Sequence, residues 1–285
     1  MTARAPARPA PPAAALALEA TLTEEVLTSF ISNETLRTGR SRVVVGLSGG
    51  LDSAVAATLA HRALGARGVI ALLMPYRQSD PASVKDAAKL ARRLGVRTEV
   101  IDITPMVDSW LAINPKADRV RRGNKLARER MSLLYDRSAI HDALVLGTSN
   151  KTELLLGYGT LHGDMASAIN PIGDLYKTQV RQIARHLRVP LAIRRKTPTA
   201  DLWAGQSDEA ELGFTYDDVD RLLYLLVDER YGRAEAIAAG WPSRFVDRVR
   251  RRIAGSQYKR RLPLIAKVSQ RTIGIDFRYP RDWGT

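Results

Sequence analysis

The sequence RVVVGLSGGLDSAVAATLAHRAL, residues 42–64, decides the fold class of this chain. Residues 42–47 contain three consecutive valines and show no polar alternation, which predicts a strand buried on both faces. Residues 52–64 are predicted to form a helix that stops at Gly65, because glycine commonly terminates helices. A buried strand that passes through a tight turn into a helix is typical of one βα unit of a parallel sheet.

Similar units follow along the chain. Residues 68–74, 97–103 and 143–147 are predicted as strands, with helices between them from Pro81 to near Gly95 and over residues 118–140. Because crossovers between parallel strands are right-handed, these elements predict an α/β fold with a doubly wound parallel sheet. Ligands of such sheets bind at the carboxyl ends of the strands.

The two ends of the chain are predicted to differ from this central sheet. Residues 1–14 are rich in proline and alanine and are predicted to be a disordered tail. Residues 16–38 are predicted to be an amphipathic helix, and the last third, from about Tyr216, is predicted to be mainly helical. We therefore predict one domain over residues 15–285, with a helical C-terminal part.

Composition limits the possible classes of function. The chain has no cysteine, which excludes disulfides, thiolate metal sites and a cysteine nucleophile, and which fits a cytoplasmic protein. No apolar segment is long enough for a membrane span. The net charge of +14, with arginines clustered over residues 119–130 and 248–261, predicts polyanionic ligands. Nucleic acid, phosphate-rich small molecules and a solvated arginine-rich surface all fit that charge.

The turn after the first strand has the features of a phosphate-binding loop. Its sequence, residues 48–53, is SGGLDS. The two glycines allow the backbone to approach an anion, the new helix offers unpaired N–H groups, and the serines add hydroxyl donors. No Gly-Lys-Ser/Thr sequence occurs, so a Walker A loop is excluded. Asp52 is a candidate Mg²⁺ ligand, although its carboxylate also suits the positive end of the helix dipole.

This loop resembles the pyrophosphate loop of the ATP pyrophosphatases, whose fold is of the Rossmann-like adenine nucleotide α-hydrolase type. The resemblance implies cleavage of ATP between its α- and β-phosphates and adenylation of an oxygen. It also implies that the loop and the end of the preceding strand bind ATP. The residues concerned are Gly46, Leu47, Ser48, Gly49, Gly50, Leu51, Asp52 and Ser53.

A second group of polar residues follows the predicted strand at residues 143–147. Thr148 lies where that strand ends, so its hydroxyl is a candidate nucleotide contact. Glu153 is a candidate second carboxylate for Mg²⁺. Alternatively, the pattern from Asn150 to Glu153 is that of a capping box, in which Glu153 only caps a helix.

Three longer strings resemble ammonia-dependent NAD synthetases. They are LGTSNKTELLLGY at 146–158, PIGDLYKTQVRQIARHL at 171–187 and PTADLWAGQSDEAELGFTYDDVD at 198–220. The resemblance extends from about residue 42 to 267. It implies amidation of deamido-NAD by ammonia at the expense of ATP, with release of AMP and pyrophosphate through an acyl-adenylate. It also implies a Mg²⁺ cofactor and a homodimer with its site at the interface.

The same resemblance assigns roles to individual residues of this chain. Lys177 and Thr199 correspond to ATP contacts, and Lys177 supplies a cation that the phosphate loop lacks. Asp164 corresponds to an aspartate near the incoming ammonia, where it is a candidate proton acceptor. The deamido-NAD contacts implied are Arg128, Tyr135, Tyr258 and Lys259. For Tyr135, a packing role fits its position equally well.

The resemblance is incomplete in one segment. Where ammonia-dependent enzymes carry a lysine and an aspartate for deamido-NAD, this chain has Leu161 and Ala168. The local string, residues 157–174, resembles the synthetase half of the glutamine-dependent branch, so a separate ammonia-delivering glutaminase is a possible partner. Two alternative functions stay open on the sequence: a tRNA-modifying ligase of the same superfamily, which the positive charge favours, and an inactive nucleotide-binding protein.

Overall fold

A parallel sheet lies at the centre of the computed structural model, which describes residues 13–199, 201, 203, 205–261, 263–274 and 276–277. Within these residues the sheet has four strands in the order β3-β2-β1-β4, and every neighbouring pair is parallel. The strands are β1 (Val43–Gly46), β2 (Val69–Leu73), β3 (Arg97–Val100) and β4 (Leu144–Val145). Most of the tail predicted at residues 1–14 lies outside the described residues.

Helices connect the strands and complete the C-terminal part. In chain order they are α1 (Ala20–Arg37), α2 (Leu51–Leu64), α3 (Pro81–Leu94), α4 (Thr104–Ile113), α5 (Arg119–Ile140), α6 (Lys151–Leu156), α7 (Lys177–His186), α8 (Leu191–Arg194), α9 (Asp208–Leu212), α10 (Tyr216–Leu223), α11 (Arg233–Ala238) and α12 (Ser243–Gly255). A short 3₁₀ turn, Gln257–Arg260, follows α12.

Each face of the sheet has its own apolar core, which confirms the doubly wound prediction. Val43 and Val45 of β1 point to the core formed with α1, α2, α3 and α7. Val44 points to the opposite core, formed with α4 and α5. Alternate side chains of a strand face opposite sides, so one run of three valines is buried on both faces. This explains why the sequence of β1 lacks polar residues.

The helical C-terminal part packs around a third apolar core. Tyr216 and Leu222 of α10, with Val246 and Val249 of α12, are buried there. Leu156 of α6 joins the same core and connects it to the sheet domain. The helical character predicted after Tyr216 is therefore observed, and its helices pack beside the carboxyl end of β4.

Several boundaries differ from the prediction. Strand β3 ends at Val100 rather than at 103, and Ile103 instead leads into α4, a helix that we did not predict. The Asp102 carboxylate accepts a hydrogen bond from Thr104 N at 2.8 Å and thereby starts that helix. The predicted helix 16–38 begins only at Ala20, after a separate 3₁₀ turn.

No helix among the described residues is both long and apolar enough to cross a membrane.

Candidate active site

A cavity of about 910 Å³ opens at the carboxyl ends of the strands. Its walls come from the loop after β1, the segment after β4, one face of α5 and the loop that precedes α9. It brings together residues that lie far apart in the sequence. The predicted site residues that line it are Gly46, Leu47, Ser48, Gly50, Leu51, Asp52, Ser53, Thr148, Glu153, Asp164, Lys177, Thr199 and Lys259.

The loop after β1 is fixed by its own hydroxyl groups. Ser48 Oγ and Ser53 Oγ are 3.0 Å apart, and Ser53 Oγ donates to Gly50 O at 3.1 Å. Gly50 N donates to Ser48 Oγ at 3.2 Å. Helix α2 begins at the next residue, Leu51, so its unpaired N–H groups face the cavity side of the loop. The arrangement suits an anion, because backbone and hydroxyl donors converge at a helix N-terminus.

Gly49 has to be glycine for two reasons. Its φ angle is +80°, in the left-handed region that residues with a side chain rarely adopt. A Cβ atom at this position would also lie 2.1 Å from the carbonyl oxygen of Ser83 in α3. The loop therefore packs directly against the start of α3, and this contact fixes the position of the loop.

Lys177, Asp52 and Glu153 form a compact charged cluster at the floor of the cavity. Lys177 Nζ is 2.5 Å from Asp52 Oδ2 and 3.4 Å from Glu153 Oε1. The lysine side chain is 4% exposed, whereas each carboxylate is 17% exposed. Asn150 contributes a bridge, since its Nδ2 donates to Asp52 Oδ1 at 3.1 Å. A single cation thus already contacts both carboxylates that we predicted to bind Mg²⁺.

The pKa values of this cluster reflect its burial. Burial together with the Asp52 charge raises the pKa of Glu153 to about 8. For Lys177, burial alone acts to lower the pKa, but Asp52 and Glu153 outweigh it and the pKa is raised. Lys177 therefore stays protonated. With both carboxylates ionised, the cluster carries one excess negative charge, so an added cation would favour the ionised form of Glu153.

Glu153 also caps helix α6. Its Oε2 accepts from Asn150 N at 3.2 Å, while Asn150 Oδ1 accepts from Glu153 N at 3.0 Å. The capping box that we held as an alternative is therefore present. The two interpretations are compatible, because Oε2 caps the helix while Oε1 faces Lys177 and the cavity.

Asp164 and Lys259 also line the cavity. Asp164 Oδ1 accepts from Thr160 N at 2.6 Å. Enclosure by protein raises the pKa of Asp164, although its carboxylate is still open to the cavity. Lys259 Nζ donates to the carbonyl oxygens of Gly157 and Gly159 at 2.8 and 2.7 Å. These contacts place a carboxylate and an ammonium group against the segment that resembles the glutamine-dependent branch.

Three predicted deamido-NAD contacts lie outside this cavity. Tyr135 and Tyr258 are 46% and 63% exposed. Arg128 is also exposed, and its Nε donates to the carbonyl oxygen of Leu161 at 3.1 Å. The residues of α5 that line the cavity are Val120, Gly123, Asn124, Ala127, Arg130, Met131 and Leu134. The roles of the three outer residues stay predictions.

Arg130 is a cavity residue that the sequence analysis missed. Its Nε donates to Met74 O at 3.1 Å, and Nη2 is 3.4 Å from Ser79 Oγ. Among the described residues it has no ion pair, and burial lowers its pKa. Leu126, Met131 and Leu134 define the buried face of α5. Because Arg130 lies four positions after Leu126 and four before Leu134, the helical period of these apolar residues would have placed Arg130 on the same face.

Asp208 is the second missed residue. It is 4% exposed and accepts hydrogen bonds from Tyr158 Oη at 3.0 Å and Tyr216 Oη at 3.2 Å. Burial raises its pKa, and Lys177 opposes that rise. Asp208 therefore adds a third buried carboxyl group near the cluster. No sequence signal distinguishes it from the neighbouring acidic residues Glu209 and Glu211.

A parallel α/β sheet with a hydroxyl-lined loop after β1 and a cavity at the carboxyl ends of its strands is the arrangement of nucleotide-binding α/β proteins. The chain belongs to the NAD synthase family, whose model matches residues 23–263. It is 56% identical over 268 residues to the NH₃-dependent NAD⁺ synthetase of Chlorobium phaeobacteroides, covering 94% of this chain and 97% of the relative.

Two solved structures are similar over most of this chain. The NMN synthetase of Francisella tularensis has a TM-score of 0.77 at 33% identity, with 88% of this chain and 99% of that chain covered. The glutamine-dependent NAD⁺ synthetase of Acinetobacter baumannii, in complex with ADP, has a TM-score of 0.65 at 34% identity. That alignment covers 93% of this chain and 50% of the other, so this chain matches one half of the larger enzyme.

Proposed function

We propose that the chain is a ligase that amidates deamido-NAD with ammonia at the expense of ATP, giving NAD, AMP and pyrophosphate. The single observation that carries the proposal is the convergence of the hydroxyl-lined loop 48–53 with the Lys177–Asp52–Glu153 cluster in one cavity. The 56% identity to an NH₃-dependent NAD⁺ synthetase supports it. The net charge of +14 is compatible with a tRNA-modifying ligase, but the structure adds no observation in favour of that function or of an inactive nucleotide-binding protein.

The chemistry needs a leaving group on a carboxylate. The nicotinate carboxylate attacks the α-phosphorus of ATP, and the bond between that phosphorus and the bridging oxygen to the β-phosphate breaks. Ammonia then attacks the acyl carbon, AMP leaves, and the surplus proton passes to Asp164 or to water. The side chains form no covalent intermediate, so positioning and charge stabilisation provide the rate.

Each part of the cavity has a role in this scheme. Loop residues 48–53 hold the β- and γ-phosphates that leave as pyrophosphate. Lys177 neutralises charge on the departing group, and Thr148 and Thr199 hold the nucleotide. Lys259 contacts deamido-NAD.

The cluster suits Mg²⁺. Asp52 and Glu153 offer hard carboxylate oxygens, and one ammonium nitrogen already contacts both of them. No group of three or more acidic, histidine or cysteine residues suited to a metal occurs in the part of the chain described here. Mg²⁺ characteristically takes its remaining ligands from phosphates and water, which fits two carboxylates beside a phosphate loop. When bound, the ion would offset charge on the polyphosphate.

A second copy of the chain completes the site in this proposal. Arg128, Tyr135 and Tyr258 are the predicted deamido-NAD contacts, and all three lie on the outer surface beside the cavity. The resemblance to ammonia-dependent NAD synthetases implies a homodimer with its site at the interface. A second copy packed against these three exposed residues would enclose them beside the substrate.

The direct test is to incubate the purified protein with ATP, Mg²⁺, ammonium and deamido-NAD, and to measure AMP and NAD by mass spectrometry. We expect equal amounts of both products. A parallel incubation replaces deamido-NAD with nicotinate mononucleotide, because one structural neighbour is an NMN synthetase. Faster amidation of the mononucleotide would contradict the assigned substrate, and absence of AMP with either substrate would contradict the reaction class.

Asp52→Asn and Glu153→Gln are expected to lower kcat by about tenfold to a hundredfold while the melting temperature stays near that of the wild type. Gln at position 153 still caps the helix, because capping boxes accept Glu or Gln, but it lacks the charge that suits Mg²⁺. Steady-state rates over a Mg²⁺ titration and thermal melting measure the two effects separately. If Glu153→Gln keeps the wild-type rate at every Mg²⁺ concentration, Glu153 only caps α6.

A further inference from the structure

Helix α7, which begins with Lys177, lacks a side-chain cap from its own N-cap residue. Tyr176 occupies that position, and its side chain makes no capping hydrogen bond. The first N–H groups of a helix have no partner within the helix and are costly to leave unpaired when buried. Lys177 is 3% exposed, so its backbone N–H requires a partner from elsewhere in the molecule.

Two buried side chains from other helices supply the missing partners. Thr152 Oγ1, from α6, accepts the hydrogen bond of Lys177 N at 2.9 Å. Asp220 Oδ2, from α10, accepts the hydrogen bond of Thr178 N at 2.8 Å. Thr152 Oγ1 also donates to Asp220 Oδ1 at 2.6 Å, so the two side chains form one continuous unit. Both residues are fully buried, at 0% exposure.

The Thr152–Asp220 unit is joined to the Lys177–Asp52–Glu153 cluster through the backbone of Lys177. Thr152 precedes Glu153 in α6, and its hydroxyl holds the backbone of Lys177, whose ammonium group contacts Glu153 and Asp52. Thr152 and Asp220 do not line the cavity themselves. They are therefore placed to act through Lys177 and not on the substrates.

We infer that Thr152 and Asp220 are positioning residues that fix the backbone of Lys177, so that its ammonium group meets the leaving pyrophosphate at one defined point. The inference rests on the proposed function, since it presupposes that Lys177 acts on the phosphates of ATP. It also gives a role to Asp220, the last residue of the 198–220 string. That string starts in the cavity loop and ends on the helix that anchors α7.

The physical need for such an anchor follows from the partners of Lys177. Its ammonium group contacts two carboxylates, and in the proposed function it also contacts phosphate oxygens of ATP. Because these partners compete for one ammonium group, the side-chain contacts alone do not define where Lys177 lies. The backbone contacts of Lys177 and Thr178 with Thr152 and Asp220 are independent of that competition, since neither partner lines the cavity. A displacement of about 1 Å can lower a rate about a hundredfold, so a fixed backbone has a direct effect on turnover.

The test compares Thr152→Val, Thr152→Ser and Asp220→Asn in steady-state NAD formation with ATP varied. Val has the shape of Thr but lacks the hydroxyl, so Thr152→Val is expected to lower kcat by about tenfold to a hundredfold. Thr152→Ser keeps the hydroxyl and is expected to stay within about threefold of the wild type. An Asn at position 220 can accept only one of the two hydrogen bonds that Thr152 Oγ1 and Thr178 N donate to Asp220. The kcat of Asp220→Asn is therefore expected to lie between those of Thr152→Val and Thr152→Ser. KM for deamido-NAD is expected to change little in all three.

Two further variants separate positioning from simple stability. Thr35 in α1 is also 0% exposed, its hydroxyl donates to Ile31 O at 2.7 Å, and it does not line the cavity. Thr35→Val is therefore a matched control that is expected to lower the melting temperature and leave kcat unchanged. In a Lys177→Met background, Thr152→Val is expected to add no more than about a twofold loss, since its effect passes through Lys177.

The outcomes are distinguishable. A full additional loss from Thr152→Val in the Lys177→Met background, or a wild-type kcat for Thr152→Val alone, would overturn the positioning role and leave the proposed function intact. A wild-type rate for Lys177→Met would overturn the proposed role of Lys177 itself, and the positioning role with it. If Thr152→Val does not fold, the contrast between Thr152→Ser and Asp220→Asn decides the matter: equal rates for these two would contradict the inference.

Discussion

Replacing Lys177 by Met is expected to lower kcat for NAD formation by about a thousandfold, because the variant loses the ammonium group that contacts Asp52 and Glu153 beside the phosphate loop. The phosphate loop has no lysine of its own, so Lys177 is the cation placed to offset charge that builds on pyrophosphate beside these two carboxylates. Since that charge develops during bond cleavage, the loss should appear mainly in kcat and only weakly in KM for deamido-NAD.

Lys151→Met is the matched control for this variant. The Lys151 side chain is 17% exposed and pairs with Asp174 and Asp228, but it does not line the cavity. Its loss is expected to lower thermal stability and to leave kcat within about twofold of the wild type. A Lys177→Met variant whose only change is a higher KM for deamido-NAD would place Lys177 against the other substrate and contradict the assignment.

The sheet was predictable from the sequence because each strand is a local pattern. Three consecutive valines in β1 can be buried only in a sheet that is covered on both faces, and Gly49 and Gly50 mark the turn that follows. The missed helix α4 shows the limit of such patterns. It starts at Thr104, and three residues separate it from the end of β3. The β-branched residues Val100, Ile101 and Ile103 are typical of a strand, and for that reason the predicted strand extends to residue 103.

The site was only partly predictable, since its geometry depends on contacts between distant residues. The hydrogen bond from Asn150 to Asp52 joins residues 98 positions apart, and no local pattern specifies it. Likewise the fully buried Asp220 looks like any acidic residue of an amphipathic helix. The position of Arg130 also depends on tertiary packing. It lies with Gly123, Ala127 and Leu134 on the part of α5 that lines the cavity, and the sequence of α5 alone does not specify which of its faces meets the cavity.

The strong positive charge is also explained in part by the fold. Arg260 donates to the carbonyl oxygens of Leu154 and Leu155 at 2.9 and 2.8 Å, so it binds the end of α6 and does not project freely into solvent. Arg130 faces the cavity. These arginines from the two predicted clusters serve structure and the cavity, which reduces the charge available for a nucleic acid.

The purified protein is expected to form NAD with ammonium and to form none with glutamine. Glutamine hydrolysis in this class of enzyme requires an activated nucleophile, and the sequence contains no cysteine to provide a thiolate. The rate with ammonium is expected to rise with pH, because deprotonation generates the ammonia that attacks and also ionises Asp164, whose pKa is raised by its enclosure.

The measurement is NAD formation with glutamine that has been freed of ammonia, run beside an equal concentration of ammonium. Turnover with glutamine comparable to that with ammonium would require a nucleophile other than cysteine and would contradict the prediction.

A further incubation adds a separately purified glutaminase. If the segment around Leu161 and Asp164 receives ammonia directly from such a partner, NAD formation should resist a scavenger of free ammonia. If the scavenger abolishes it, ammonia reaches Asp164 only through bulk solvent, and the likeness of residues 157–174 to the glutamine-dependent branch reflects the shape of the segment alone.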